Sequence, residues 1–370
     1  MKKVLLFFIL CLMFIPKVNC STSSAHSYVL MDAETGRVLD SKNMNDKSLI
    51  ASITKIMTSV IAIESNKLDE IITVDESILS AYGSGIYIQV GEEMSLKDML
   101  YGLMLRSGND AAVMIATYVA GSEEAFVKLM NDKAKKIGMK NTTFVNSSGL
   151  DNTDSGNYST AYDMALLTRY AMQYDEYREI VKTKEYTVKT NYKTYVWHNK
   201  NKLLNYDYVT GGKTGYTEKA GRTLVSTASK DDMNLIVVTI RDSDDWNTHM
   251  QMLDDAFASH YRKKALEKGQ VIKNVTVDNK TYSFYAAEDF YIPMSKAEKI
   301  EINAEINVEN DLKTPINKDE KVGYVALKYK GKEIGRVDVL SSDNIYGVST
   351  IRMKNSFLEC WKNIWSFFLL

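Results

Sequence analysis

Between residues 27 and 266 the apolar pattern changes its period twice, and this limits the fold more than any other feature of the chain. Residues 27–32 and 37–40 are β-forming runs around a turn-like insert, Ala33-Glu34-Thr35-Gly36, which predicts an opening hairpin. A helical period follows over 52–65, where Ile53, Ile56, Met57, Val60, Ile61 and Ile63 share a face and Ser52 stands at the start. Further helices are expected over 96–106, 110–119, 123–137 and 160–173. From Tyr186 the period returns to β, with runs at 186–189, 194–197, 209–213, 222–227 and 234–240. A closing helix is expected over 246–266, its stripe being Met250, Leu253, Ala256, Phe257 and Tyr261. Strands at both ends with helices between them give an α/β chain of the α+β kind. The hairpin and the late strands form one antiparallel sheet covered by helices, in a domain spanning 25–266.

Past Gly269, runs at 273–277, 281–285, 300–306, 321–329 and 334–340 alternate β-formers between Asn, Asp, Gly and Pro, which predicts a small all-β domain over 270–350. It carries no catalytic cluster and reads as a spacer or binding module. The chain opens with Lys2 and Lys3, an apolar run from Val4 to Ile15, and then Pro16 and a polar stretch: the layout of a secretory signal peptide over 1–20. That run is shorter than the ~20 apolar residues of a spanning helix. Cleavage is expected near Cys20, which Lys17-Val18-Asn19 does not mark for lipidation. Cys360 would then stand alone, so the mature chain has no intramolecular disulfide. The formal charge would move from −1 to about −4, which argues against nucleic acid and against general attraction to anionic lipid. Residues 353–370 set Phe357, Trp361, Ile364, Trp365 and Phe368 against Ser356, Glu359, Lys362 and Asn363. This amphipathic helix is too short and polar to span a bilayer; it suits either the headgroup level or docking on the β-domain.

Three short motifs follow one another in the first domain. Ser52-Ile53-Thr54-Lys55 is the only S-x-x-K in the chain and Lys213-Thr214-Gly215 the only K-T-G, while Ser107-Gly108-Asn109 lies between them with helical segments on both sides. S-x-N alone carries little, since it recurs at Ser41, Ser155 and Ser342. A serine hydroxyl needs a base to attack near neutral pH. Residues three apart on a helix share a face, which puts Lys55 within reach of Ser52. A lysine serves as base once burial and a neighbouring cation lower its pKa, and Lys213 would be that cation. The Ser107 hydroxyl can bridge two lysines and relay a proton to a leaving amine, and the Asn109 amide can hold a substrate backbone group. Lys213 and the Thr214 hydroxyl can attract a terminal carboxylate while the substrate adds to the Gly215 strand edge. The backbone N–H groups of Ser52 and Tyr216 are the candidate oxyanion hole. His26, His198, His249 and His260 are scattered without metal-binding spacing, so neither metal nor cofactor is expected.

Order and uniqueness make the three motifs one signature, that of penicillin-binding proteins and class A β-lactamases. The chain resembles the low-molecular-mass penicillin-binding proteins, serine-type D-alanyl-D-alanine carboxypeptidases of peptidase family S11. The resemblance covers most of residues 25–265 and includes Gly83-Ser84-Gly85, Asp110-Ala111-Ala112, Phe144-Val145-Asn146 with Gly149-Leu150, Ser159-Thr160-Ala161 with Asp163, and Tyr216-Thr217. It implies a β-lactamase/transpeptidase-like domain in which Ser52 forms the acyl-enzyme, Lys55 accepts its proton, Ser107 assists and Lys213 binds substrate. It also implies removal of the terminal D-alanine from peptidoglycan stem peptides ending in D-Ala-D-Ala, with β-lactam antibiotics as covalent inhibitors. The leader, the β-domain and a membrane-anchoring terminal helix would set the enzyme on the outer face of the cytoplasmic membrane, as a peripheral protein of the cell envelope. Arg241, after the last strand of the domain, is a candidate to help hold the substrate carboxylate.

Other readings share the motifs. A class A β-lactamase deacylates with a loop glutamate, and no Glu occurs from Asn141 to Gln173. A D,D-transpeptidase would pass the same acyl group to an amine instead of water. An inactive cell-wall-binding protein would have no reason to keep every motif residue.

Overall fold

The computed structural model describes residues 23–352 apart from 153–154, 297, 299–301, 309–310 and 347–349. The leader expected over 1–20 and the amphipathic helix expected over 353–370 lie outside the described residues. The chain opens with the hairpin β1 (Ser27–Asp32) and β2 (Val38–Lys42). A single 3₁₀ turn, Ala51–Thr54, leads into α1 (Lys55–Glu64). Helix α2 (Leu96–Tyr101) runs on through a π turn, Gly102–Arg106, and α3 (Asn109–Ala120) starts three residues later. Helix α4 (Glu123–Ile137) opens on the Ser122 side chain, which accepts from the Ala125 N–H, and closes at Gly138 with φ 91°. Then come α5 (Ala161–Ala171), α6 (Asp175–Lys182), the hairpin β3 (Glu185–Lys189) and β4 (Thr194–His198), β5 (Val209–Thr217), β6 (Gly221–Lys230), β7 (Met233–Ile240) and α7 (Asp245–Ser259).

The expected sheet forms, antiparallel and in the order β2-β1-β7-β6-β5, which leaves β5 on an edge. Alternate residues serve two cores, which is why β1 is buried along its whole length. Val29, Met31, Val225, Ile236 and Val238 pack toward the helical layer. Tyr28, Leu30, Leu224, Leu235 and Val237 pack under Met252, Leu253 and Ala256 of α7. Full burial of each such aliphatic side chain contributes roughly 1.5–3 kcal/mol.

Several expectations need correction. Among the described residues, the runs near Tyr186 and Thr194 pair only with each other and form a separate hairpin. Helix α6 lies where no helix was expected; only Tyr177, Ile180 and Val181 of its eight residues are buried, too short an apolar signal to stand out. The helix expected over 246–266 ends at Ser259, and His260–Leu266 is instead strand β8. Its partner is β11 (Phe290–Ser295), about 30 residues downstream, and this non-local pairing overrides a local pattern that a helix would also satisfy. Tyr261, expected in the helical stripe, is 44% exposed on that strand.

The C-terminal unit is all-β, as expected. Besides β8 and β11 it contains β9 (Val271–Val277), β10 (Lys280–Ala286), β12 (Ile302–Val308), β13 (Lys321–Tyr329) and β14 (Lys332–Ser341). Five of these strands form a sheet in the order β9-β10-β14-β13-β12. Phe284, Val325, Val337 and Val339 lie at the centre of its core.

Candidate active site

The three motifs converge beside the edge strand β5. Ser52 lies in the 3₁₀ turn before α1 and Lys55 is the first residue of the helix, so one turn of backbone brings the Lys55 Nζ to 3.2 Å from the Ser52 Oγ. Ala51, just before Ser52, sits at φ 49°, a left-handed conformation that costs a non-glycine residue of order 1 kcal/mol or more. Gly149 packs against that strained step so closely that an added Cβ would stand 1.9 Å from the Ala51 carbonyl oxygen. This explains why Gly149-Leu150 belongs to the pattern. Ser52 opens onto a cleft of about 410 Å³ that is also lined by Ser84, Asn109, Leu150, Asp151 and Tyr216.

Lys55 is fully buried, and its Nζ lies within hydrogen-bond distance of the Asn109 Oδ1 at 2.7 Å and the Ser148 carbonyl at 2.6 Å as well as of the Ser52 Oγ. Asn109 in turn donates from Nδ2 to the Tyr82 carbonyl at 2.6 Å. Of the S-x-N residues, then, Asn109 holds the lysine, a contact its expected role toward the substrate backbone did not include. Ser107 caps the π turn at φ 65°, ψ 36°, and is 5% exposed. Lys213 is 1% exposed and donates to the Thr214 carbonyl at 2.7 Å. At Gly215 an added Cβ would stand 3.0 Å from the Ser52 nitrogen and 2.3 Å from the Thr223 Oγ1. The strand that carries Gly215 and Tyr216 therefore lies directly against the Ser52 N–H, where two backbone donors can face one developing oxyanion.

Burial, then the Lys213 and Lys200 ammonium groups, hold Lys55 well below the ordinary lysine range, and Asp110 opposes them. Burial, then Lys200, brings Lys213 down to about 7. Lys200 is itself lowered by burial and by Arg106. Burial disfavours each cation and the cations disfavour one another, so a neutral amine is available at Lys55. Lys200 was not singled out from the sequence. Its N–H donates to the Leu105 carbonyl, at the end of the π turn that precedes Ser107. Arg241, the carboxylate-binding candidate, is an exposed side chain that donates to the Lys219 carbonyl at 2.7 Å.

Comparison with known proteins bears on the same two units. Residues 16–244 match the profile of the peptidase S11 family, described as D-alanyl-D-alanine carboxypeptidase, and residues 261–346 match the C-terminal domain of penicillin-binding protein 5. The D-alanyl-D-alanine carboxypeptidase DacF of Bacillus subtilis is 34% identical over 91% of this chain and 90% of its own. DacC of Escherichia coli is 32% identical over 89% of this chain and 86% of its own. The crystal structure of penicillin binding protein 5 from Haemophilus influenzae superposes with a TM-score of 0.70, at 28% identity, over 87% of this chain and 97% of that one. The family profile spans every motif residue around the cleft, and relatives match along nearly the whole length: the chain belongs to the D-alanyl-D-alanine carboxypeptidase family, peptidase S11.

Proposed function

We propose that this chain removes the C-terminal D-alanine from peptidoglycan stem peptides ending in D-Ala-D-Ala, through an acyl-enzyme on Ser52. The observation that supports this most is a fully buried amine, Lys55, 3.2 Å from a serine hydroxyl that opens on a cleft. In that position the neutral amine takes the Ser52 proton as Oγ attacks the penultimate D-alanine carbonyl. The carbonyl oxygen becomes an oxyanion facing the N–H groups of Ser52 and Tyr216. Collapse breaks the peptide C–N bond, and the proton passes to the departing amine with Ser107 assisting. Lys213, the Thr214 hydroxyl and Lys200 hold the terminal carboxylate, Asn109 keeps Lys55 aimed at Ser52, and Gly215 keeps the strand close. Water then attacks the ester, and Lys55 again takes the proton.

A β-lactam carbonyl enters the same first step. Its leaving amine stays tethered to the acyl group, so the ester persists as a covalent inhibited form. Residues 1–20 export the chain, and the amphipathic sequence of residues 353–370 holds it at the membrane surface beside its substrate. Labelling with a fluorescent penicillin and mass spectrometry of a stem pentapeptide test the reading together. The wild type takes the label and releases D-alanine, and Ser52→Ala does neither. A wild type that is neither labelled nor active would sink the proposal, and a labelled Ser52→Ala would place the nucleophile elsewhere.

A further inference from the structure

We infer that Asp110 is a positioning residue of this active site, the carboxylate that fixes the 82–87 segment as one wall of the substrate cleft. The inference rests on the hydrolase reading above. Gly83 and Ser84 line the cleft with Ser52, and the segment that carries them, Tyr82-Gly83-Ser84-Gly85-Ile86-Tyr87, contains neither helix nor strand. It cannot hold its own shape. Gly83 stands at φ 83° and Tyr87 at φ 61°, and an aromatic residue occupies that left-handed region only where its surroundings hold it there.

Asp110 supplies that hold. One carboxylate oxygen accepts from the Ile86 N–H at 3.0 Å, and the other accepts from the N–H groups of Ile86 at 3.1 Å and Tyr87 at 2.7 Å. The first oxygen also accepts from the Ala111 N–H at 2.9 Å, which seats the carboxylate on its own helix. Asp110 is only 9% exposed, so water is poorly placed to replace it on these donors. The residue before it completes the link. The Asn109 N–H donates to the Ser84 carbonyl at 2.7 Å and its Nδ2 to the Tyr82 carbonyl, while its Oδ1 accepts from Lys55. The first turn of α3 therefore grips the wall on one side and the base on the other. Farther out, Lys193 and the Tyr195 hydroxyl donate to the Tyr87 carbonyl at 2.8 and 3.3 Å.

Two substitutions approach this contact from opposite sides. Asp110→Asn removes the charge and turns an N–H₂ group toward N–H donors. Gly85→Ala keeps the charge and places a methyl 3.1 Å from the second carboxylate oxygen, tight enough to displace the wall. Both variants are expected to lower kcat/KM for D-alanine release from a stem pentapeptide by roughly ten- to a hundredfold, the scale of a small misplacement. KM should carry more of the loss than kcat, amide hydrogen exchange at Ile86 and Tyr87 should quicken, and both proteins should stay folded at the assay temperature. Wild-type kcat/KM in both variants would overturn the inference. So would a loss confined to Asp110→Asn, which assigns the effect to charge beside Lys55. If Asp110→Asn does not fold, Gly85→Ala decides alone. If the wild type itself releases no D-alanine, the hydrolase reading fails, and exchange at Ile86 and Tyr87 in the variants still decides whether Asp110 holds the wall.

Discussion

At the scale of single residues, two buried amines, Lys55 and Lys213, lie within the field of a third, Lys200. Lys213 and Lys200 disfavour protonation of Lys55, Lys200 disfavours that of Lys213, and the order of effects is burial first, charge second. Removing Lys200 is therefore expected to raise the pKa of both Lys55 and Lys213. Lys55 acts when neutral, so in Lys200→Met the rising limb of the pH profile for penicillin acylation moves to higher pH. Lys213 also stays cationic to higher pH, so the falling limb moves the same way, each by up to about one unit. A profile that keeps its limbs would remove Lys200 from the electrostatics of the site. The meeting of Ser52 and Lys55, and of the Lys213-Thr214-Gly215 strand with Ser52, was legible in the sequence because each rests on one short motif on a helix turn or a strand. Lys200 was not, because nothing in His198-Asn199-Lys200 marks it until the chain beyond β4 is laid against Leu105.

At the scale of elements, helix α7 closes the outer face of the sheet, and one of its buried polar anchors is His249. The ring is fully buried between the Ser226 hydroxyl, 2.6 Å from Nδ1, and the Thr239 hydroxyl, 3.0 Å from Nε2, so α7 is tied to both β6 and β7. Burial lowers its pKa to about 3. The folded-state value lies below the unfolded one near 6.5, so this contribution is complete above pH 6.5 and is lost as the pH falls toward 3. There the unfolded chain binds a proton that the folded chain refuses, costing at most about 1.4 kcal/mol per pH unit. Urea unfolding between pH 7 and pH 4 should show that decline in the wild type and a shallower one in His249→Asn; equal slopes would count against it. The sequence placed α7 correctly but ran it to residue 266, because the partner strand β11 that claims His260–Leu266 cannot be seen locally.

At the scale of the whole molecule, the two units are joined by charge. Arg37, from the turn between β1 and β2, reaches into the β-domain, pairs with Glu298, donates to the Pro293 carbonyl and lies 4.3 Å from the centre of the Tyr329 ring. Its side chain is 9% exposed and that of Glu298 18%. Arg37→Ala leaves a half-buried carboxylate without its cation and should cost about 1–3 kcal/mol in urea unfolding, with D-alanine release unchanged below the transition. A change within measurement error would make the joint incidental. The membrane proposal is tested on the full chain: deleting 353–370 should move the protein from the membrane to the soluble fraction, and equal recovery of both forms there would oppose it. The sequence by itself determined the three motifs, the strand that carries Lys213-Thr214-Gly215 and most of the helical and β segments, since these depend on residue type at short spacing. Tertiary structure alone decided that Asn109 holds Lys55, that Lys200 lies within the field of the two buried lysines, that Asp110 accepts from Ile86 and Tyr87 and that 260–266 becomes strand. Each depends on groups far apart in the chain whose desolvation and hydrogen bonding exist only once the fold has closed around them.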